Sequence, residues 1–182
     1  MDKELPSKRV ALKILAQSGC SRKVIKHCKA VMNLATQIAV NCKKRGLNVD
    51  VELVQIGALL HDIGRSKVHN IDHVIVGVEI AESLGLPKSV ISIIECHAGG
   101  GITLNEAKNL GWPIKQYLPQ TLEEKIVTYA DKLIEGSRKV KIERTIKKLS
   151  LELGSQHSSI KRVKKLHDEF SSFLDDLDDK AT

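Results

Sequence analysis

Residues 24–42 read Val24-Ile25-Lys26-His27-Cys28-Lys29-Ala30-Val31-Met32-Asn33-Leu34-Ala35-Thr36-Gln37-Ile38-Ala39-Val40-Asn41-Cys42. Val24, Cys28, Val31, Leu34, Ala35, Ile38, Ala39 and Cys42 recur at spacings of three and four, which is the period of one buried helical face. Ser21 supplies an N-cap, and Lys43-Lys44-Arg45-Gly46 closes the segment with cations and a glycine. A long amphipathic helix of this kind needs other helices or a sheet to cover its stripe.

The flanking sequence supplies helices. Pro6 at a first helical position and Gly19 as a stop predict a helix over about residues 6–18. Asp50 caps a greasy helix through Leu53, Ile56, Leu59 and Leu60 that stops around His61-Asp62-Ile63-Gly64. Further helices are expected from about Asp72 to Leu84, closed by Gly85, and from Pro87 to Cys96 or His97. Thr103 with Glu106 and Thr121 with Glu124 have capping-box spacing and start two more. Residues 111–119 form a loop between them, and beyond Gly136 two basic amphipathic helices are split near Gly154-Ser155. No alternating run rich in Val, Ile or Tyr makes a convincing strand, so the expected class is all-α. The 182 residues are read as a single domain with a helical core at about 20–135 and a C-terminal helical extension at about 137–177.

Composition excludes several function classes. Hydrophobic residues are 42% and charged residues 28% of the chain, which places it among globular proteins. No apolar stretch is long enough for a membrane span, and Met1 to Pro6 lack the apolar run of a signal peptide. Cys20, Cys28, Cys42 and Cys96 form no CxxC pair and read as buried thiols of a reducing compartment, so a cytoplasmic location is expected. Aromatics are only 3%, too few for a base-stacking platform. The net charge of +7 is uneven: residues 132–167 carry +8, and residues 168–182 carry −5.

The chemistry gathers around His61-Asp62. Adjacent side chains on a regular helix diverge by about 100°, whereas at a helix terminus they can converge on one ion. Imidazole with carboxylate suits Mn, Fe, Co, Ni or Zn better than Ca or Mg. His27 lies on the apolar stripe of the long helix, and Asp131 sits beside Ala130 and four residues after Val127. An unpaired inward carboxylate is costly, so these four residues point to one metal site.

In this order, His27, His61-Asp62 and Asp131 resemble the H…HD…D pattern of the HD superfamily of metal-dependent phosphohydrolases, and His61-Asp62-Ile63-Gly64 reproduces its HDIG form. His73 and His97 match the additional positions of HD proteins that hold two metals. The resemblance implies an all-α fold and two divalent transition-metal ions (Fe, Mn, Co, Ni or Zn). His27, His61, Asp62 and Asp131 would hold the first, Asp62 would bridge, and His73 with His97 would complete the second. The wider pattern is similar to the symmetrical dinucleoside tetraphosphate hydrolases, and more closely to an archaeal-type HDIG family. Arg65 stands where many HDIG proteins have Lys, and Ala98-Gly99-Gly100-Gly101 follows His97 where those hydrolases often have hydroxyl residues.

The implied reaction is hydrolysis of a phosphoester or phosphoanhydride bond in a nucleotide-like substrate by a metal-activated hydroxide, with Asp62 and Arg65 as catalytic residues. Arg65 and Lys67 are candidate phosphate clamps because a guanidinium matches phosphate in a bidentate fork; Lys132 is a further substrate contact. His69 and Gly99 to Gly101 read as an exposed loop and a flexible connector. Trp112 and Tyr117 either stack on a base or plug the core. Two other readings compete. One is a two-iron HD-type oxygenase. The other is a regulatory module that binds RNA or a nucleotide through the late basic helices, with the acidic tail after Asp175 folding onto that stripe or pairing a homo-oligomer.

Overall fold

The computed structural model describes residues 4–174. The order is α1 (Lys8–Gln17), α2 (Arg22–Lys44), α3 (Val51–Leu60), a 3-10 turn (Ile63–Ser66), α4 (His73–Ser83) and α5 (Lys88–Cys96). A second 3-10 turn (Ala98–Gly100), α6 (Leu104–Asn109) and α7 (Leu122–Lys132) follow, then β1 (Ile134–Glu135), β2 (Arg138–Lys139), α8 (Ile142–Leu153) and α9 (Ser158–Phe170). The fold is all-α, as the periodicity predicts.

The start signals act through their side chains. Ser21 accepts from the Val24 amide and Asp50 from the Leu53 amide, and both capping boxes are complete. Such a cap contributes about 1 kcal/mol. α1 departs from expectation at its first turn: Ser7, not Pro6, ends the extended chain, and its hydroxyl accepts from the Val10 amide. A serine oxygen can satisfy an orphan amide, which proline cannot.

α2 is the central post. Its buried stripe meets α3 and α7 on one side, where Val31, Ile38, Val54, Ile126, Tyr129 and Phe170 join one apolar cluster. Toward its N-terminus Cys28 joins Leu15, Ile56, Leu60, Val90 and Ile94 in a second. All four cysteines are buried free thiols.

Two further expectations need correction, and one open choice is settled. First, a strand pair exists: Ile134 and Glu135 pair antiparallel with Lys139 and Arg138 around Gly136 at φ +61°. Four residues are too short a run to show an alternating pattern. Second, Gly99 to Gly101 are not a flexible connector. All three have positive φ, and a Cβ on Gly101 would stand 2.8 Å from Pro119 Cδ and 2.9 Å from Leu118 Cδ2. The Ser159 hydroxyl of α9 donates to the Gly99 carbonyl. Of the two readings of the loop aromatics, the structure takes the second: they plug a small core. Trp112 and Tyr117 are buried edge to face with centroids 5.2 Å apart, and Trp112 Nε1 donates to Asp72 Oδ1 at 2.8 Å beside the start of α4. The acidic run from Asp175 lies outside the described residues. Among those described, no helix is long and apolar enough to cross a membrane.

α9 is pinned to α6 through Glu106. Its carboxylate accepts from Ser158 Oγ at 2.6 Å and from Arg162 Nη2 at 2.9 and 3.0 Å, besides the Thr103 amide of its capping box. Burial raises the carboxyl pKa, but the Ser158, Thr103 and Arg162 bonds outweigh it and bring it from 4.5 to about 2. A depressed folded value means stability that is present above 4.5 and lost as pH falls toward 2. Glu106→Gln is therefore expected to cost about 1–3 kcal/mol at neutral pH. In melting curves the gap to wild type should close between pH 4.5 and 2; a gap that persists unchanged to the lower limit contradicts the linkage.

Candidate metal centre

The six predicted ligands come from five separated segments and meet at one point. His61 ends α3, and the chain bends at Asp62 (φ −102°, ψ 19°) into the first 3-10 turn, so neighbours that would diverge on a helix converge. Gly64 lets α4 approach this turn. A Cβ there would lie 1.9 Å from the His73 carbonyl and 2.6 Å from the Gly77 amide nitrogen, so no other residue fits without moving α4. That approach delivers His73 to Asp62. His97 ends α5, His27 comes from the first turns of α2, and Asp131 from the end of α7.

Asp62 lies between two groups. Its Oδ2 faces His27 Nε2 at 3.7 Å and His61 Nε2 at 3.8 Å, while its Oδ1 faces His73 Nε2 at 3.1 Å and His97 Nε2 at 3.4 Å. Asp131 Oδ1 closes the first group at 3.0 Å from His27 Nε2 and 3.5 Å from His61 Nε2. Donor atoms held about 2.1 Å from a common ion at octahedral to tetrahedral angles lie roughly 3.0–3.4 Å apart.

The imidazoles share one orientation. Each Nδ1 lies 2.7–2.8 Å from a backbone carbonyl: Gly136 for His27, Ala58 for His61, Asn70 for His73 and Ile94 for His97. A carbonyl only accepts, so each Nδ1 carries a proton and leaves Nε2, the other ring nitrogen, facing the carboxylates. Burial pushes the His97 pKa down to about 4, so its ring is neutral at pH 7. His73 Nε2 nevertheless lies 3.1 Å from His97 Nε2.

The carboxylates are ionised. Burial alone would raise the pKa of Asp62, but the neighbouring His61 ring first, and then His73, hold it well below the usual range. For Asp131, burial is likewise outweighed, first by the Lys132 ammonium and then by His27 and His61. His27 is the complement: burial disfavours its cation, yet Asp131 and Asp62 raise its pKa. His61 Nε2 and Asp62 Oδ1 are buried with no hydrogen-bond partner. Acceptors crowded in this way are stabilised by cations between them, and imidazole with carboxylate is the donor chemistry of divalent transition metals. The residues therefore fit metal ions.

The remaining predicted residues divide. Arg65 lines the cavity above the cluster, and its Nε donates to Asp62 Oδ2 at 2.7 Å while Nη1 donates to the His69 carbonyl at 3.0 Å. Lys132 also lines the cavity and places Nζ 2.7 Å from Asp131 Oδ2. Lys67 is exposed and outside the lining, as is His69. The cavity measures about 810 Å³ and is mostly apolar. One wall comes from α8, through Thr145, Leu149, Glu152 and Leu153. These positions lie beyond the segment to which the motif drew attention. Their one sequence signal is the apolar face of Ile142, Ile146, Leu149 and Leu153, which needs a surface to cover.

The chain is 51% identical over 164 residues to an uncharacterized protein of Methanocaldococcus jannaschii, covering 90% of this chain and 96% of that one. It is 40% identical to the tRNA (cytidine(56)-2'-O)-methyltransferase of Picrophilus torridus over 97% of its own length, but spans only 50% of that relative. In structure it resembles the HD domain of the L. monocytogenes phosphodiesterase PgpH in complex with cyclic-di-AMP. The TM-score is 0.54 at 23% identity, with 92% of this chain and 96% of that one covered. Residues 24–136 match the HD domain, a span that takes in all six clustered residues. By sequence and by fold, the chain belongs to the HD domain family.

Proposed function

We propose that the chain is a metal-dependent phosphohydrolase that cleaves a phosphoester or phosphoanhydride bond in a nucleotide-like substrate. The observation that carries this reading is the orientation of the four imidazoles. Each is fixed through Nδ1 to a carbonyl and aims Nε2 at one of two ionised carboxylates on the floor of an open cavity. His27, His61, Asp131 and Asp62 Oδ2 would hold one ion; His73, His97 and Asp62 Oδ1 would hold the other. Such an ion pair supplies Lewis acidity toward a phosphoryl oxygen and lowers the pKa of water toward neutrality.

The chain's own groups prepare the site. The carbonyls of Ala58, Asn70, Ile94 and Gly136 fix the tautomer and plane of each ring, the kind of support whose loss costs about 10–100-fold in metal affinity or activity. Arg65 holds the bridging carboxylate through Nε and keeps Nη2 for a phosphoryl oxygen. Lys132 fixes Asp131 and adds positive charge at the cavity wall. The apolar walls keep water low around these charges, which strengthens each interaction. The relative that binds cyclic-di-AMP supports a nucleotide phosphodiester as the substrate class; dinucleoside polyphosphates belong in the same screen.

The test is hydrolysis of cyclic nucleotides, cyclic dinucleotides, nucleotides, dinucleoside polyphosphates and single-stranded oligonucleotides with Mn²⁺, Co²⁺, Fe²⁺ or Ni²⁺. The expected result is turnover of one class that a chelator abolishes and added metal restores. Metal-loaded protein that hydrolyses none of them but consumes oxygen would replace this reading with the two-iron oxygenase.

A further inference from the structure

α8 lies beyond the segment that matches the HD domain, yet it walls the cavity over the clustered residues. Thr145 Oγ1 donates to the Lys132 carbonyl at 2.5 Å, tying α8 to the end of α7 next to Asp131. On a helical wheel Ile142, Ile146, Leu149 and Leu153 fall within about 60° of one another; the first three pack on the core, and Leu153 faces the cavity and is exposed. Arg144 and Lys148, one turn apart, stand at the cavity edge and also line an adjoining outer groove, with Lys147 beyond them.

The positive charge continues away from the cavity. Arg138, Lys139 and Lys141 follow the turn between β1 and β2, so residues 138–148 hold six cations, all exposed. Glu135 and Glu143 share the outer groove, and Glu152 faces the cavity. Of these six cations, only Arg144 pairs with an acidic group among the described residues, Glu135. Clustered like charges oppose folding and favour an anionic partner. Among the described residues no Phe, Tyr or Trp lines the cavity, so affinity for a strand does not rest on stacking against such a ring there.

We propose that the β1–β2 turn and α8 form an arm that binds the phosphates next to the scissile one, making the substrate a single-stranded oligonucleotide rather than a free nucleotide. This rests on the phosphohydrolase reading above. The strand must be single because the target phosphate has to reach Asp62 and His97, which are 3% and 2% exposed. A paired second strand would meet α8 on the way down.

The experiment compares the wild-type chain with Arg138→Gln/Lys141→Gln/Lys147→Gln, whose changes lie outside the cavity lining. Fluorescence anisotropy with a labelled single-stranded RNA of roughly 12 nucleotides, in chelator, reads binding without turnover. The variant should bind at least about ten-fold more weakly at low salt, and the slope of log K against log salt should fall by about 2, at about 0.7 per lost phosphate contact. Hydrolysis of bis(p-nitrophenyl) phosphate by the Mn²⁺-loaded variant should stay within about two-fold of wild type, because that small ester reaches only the metal residues. Equal binding by the two proteins overturns the arm. So does wild-type affinity for the strand no greater than for a mononucleotide, or equal affinity for a duplex of the same length. Charge-dependent strand binding with no ester hydrolysis supports the arm and removes the phosphohydrolase reading; ester hydrolysis without strand binding does the reverse.

Discussion

Asp62→Ala is expected to lose both metal ions and to lower kcat/KM by at least about 10³-fold, roughly 4 kcal/mol of transition-state stabilisation. The two oxygens of Asp62 face opposite pairs of imidazoles, one pair on each side. Its removal leaves His73 and His97 without a carboxylate and the first group with Asp131 alone. The variant should fold, because a buried anion is removed rather than created and the imidazoles keep their carbonyl partners. Circular dichroism with metal analysis separates the outcomes: a folded variant with unchanged metal content contradicts the bridging role.

The second large effect concerns the other half of the centre. His97→Ala and His73→Ala should each reduce bound metal to about one ion per chain and slow hydrolysis by about 10²-fold or more. The first group keeps His27, His61, Asp131 and Asp62 Oδ2, enough donors for a single ion. Electron paramagnetic resonance of Mn²⁺-loaded protein reads this without activity. Wild type should show a spin-coupled pair, and either variant an isolated ion. Loss of both ions together would mean that the two groups cannot fill separately.

Much of this was legible in the sequence because each signal is local. Ser21, Asp50, Thr103 and Thr121 announce helix starts through side-chain chemistry that acts within three residues. The candidate ligands stood out because His27 and Asp131 interrupt apolar stripes, while His61-Asp62 and His97 sit at helix ends. What escaped depends on tertiary contact. Gly99 to Gly101 look loose in sequence, but α9 and residues 118–119 pack against them. The engagement of Arg65 with Asp62 depends on the bend at residue 62, which no propensity specifies. The α8 wall reaches the cluster across more than one hundred residues from His27, and only its unpartnered apolar face hinted at a surface to cover.

Metal content of the wild-type chain, purified without chelator and measured by inductively coupled plasma mass spectrometry against protein concentration, tests the central claim most directly. The account predicts about two divalent transition-metal ions per chain. A chain that carries none, and takes up none when Mn²⁺, Co²⁺ or Fe²⁺ is offered, would return the four imidazoles and two carboxylates to a buried hydrogen-bonded cluster and contradict the account.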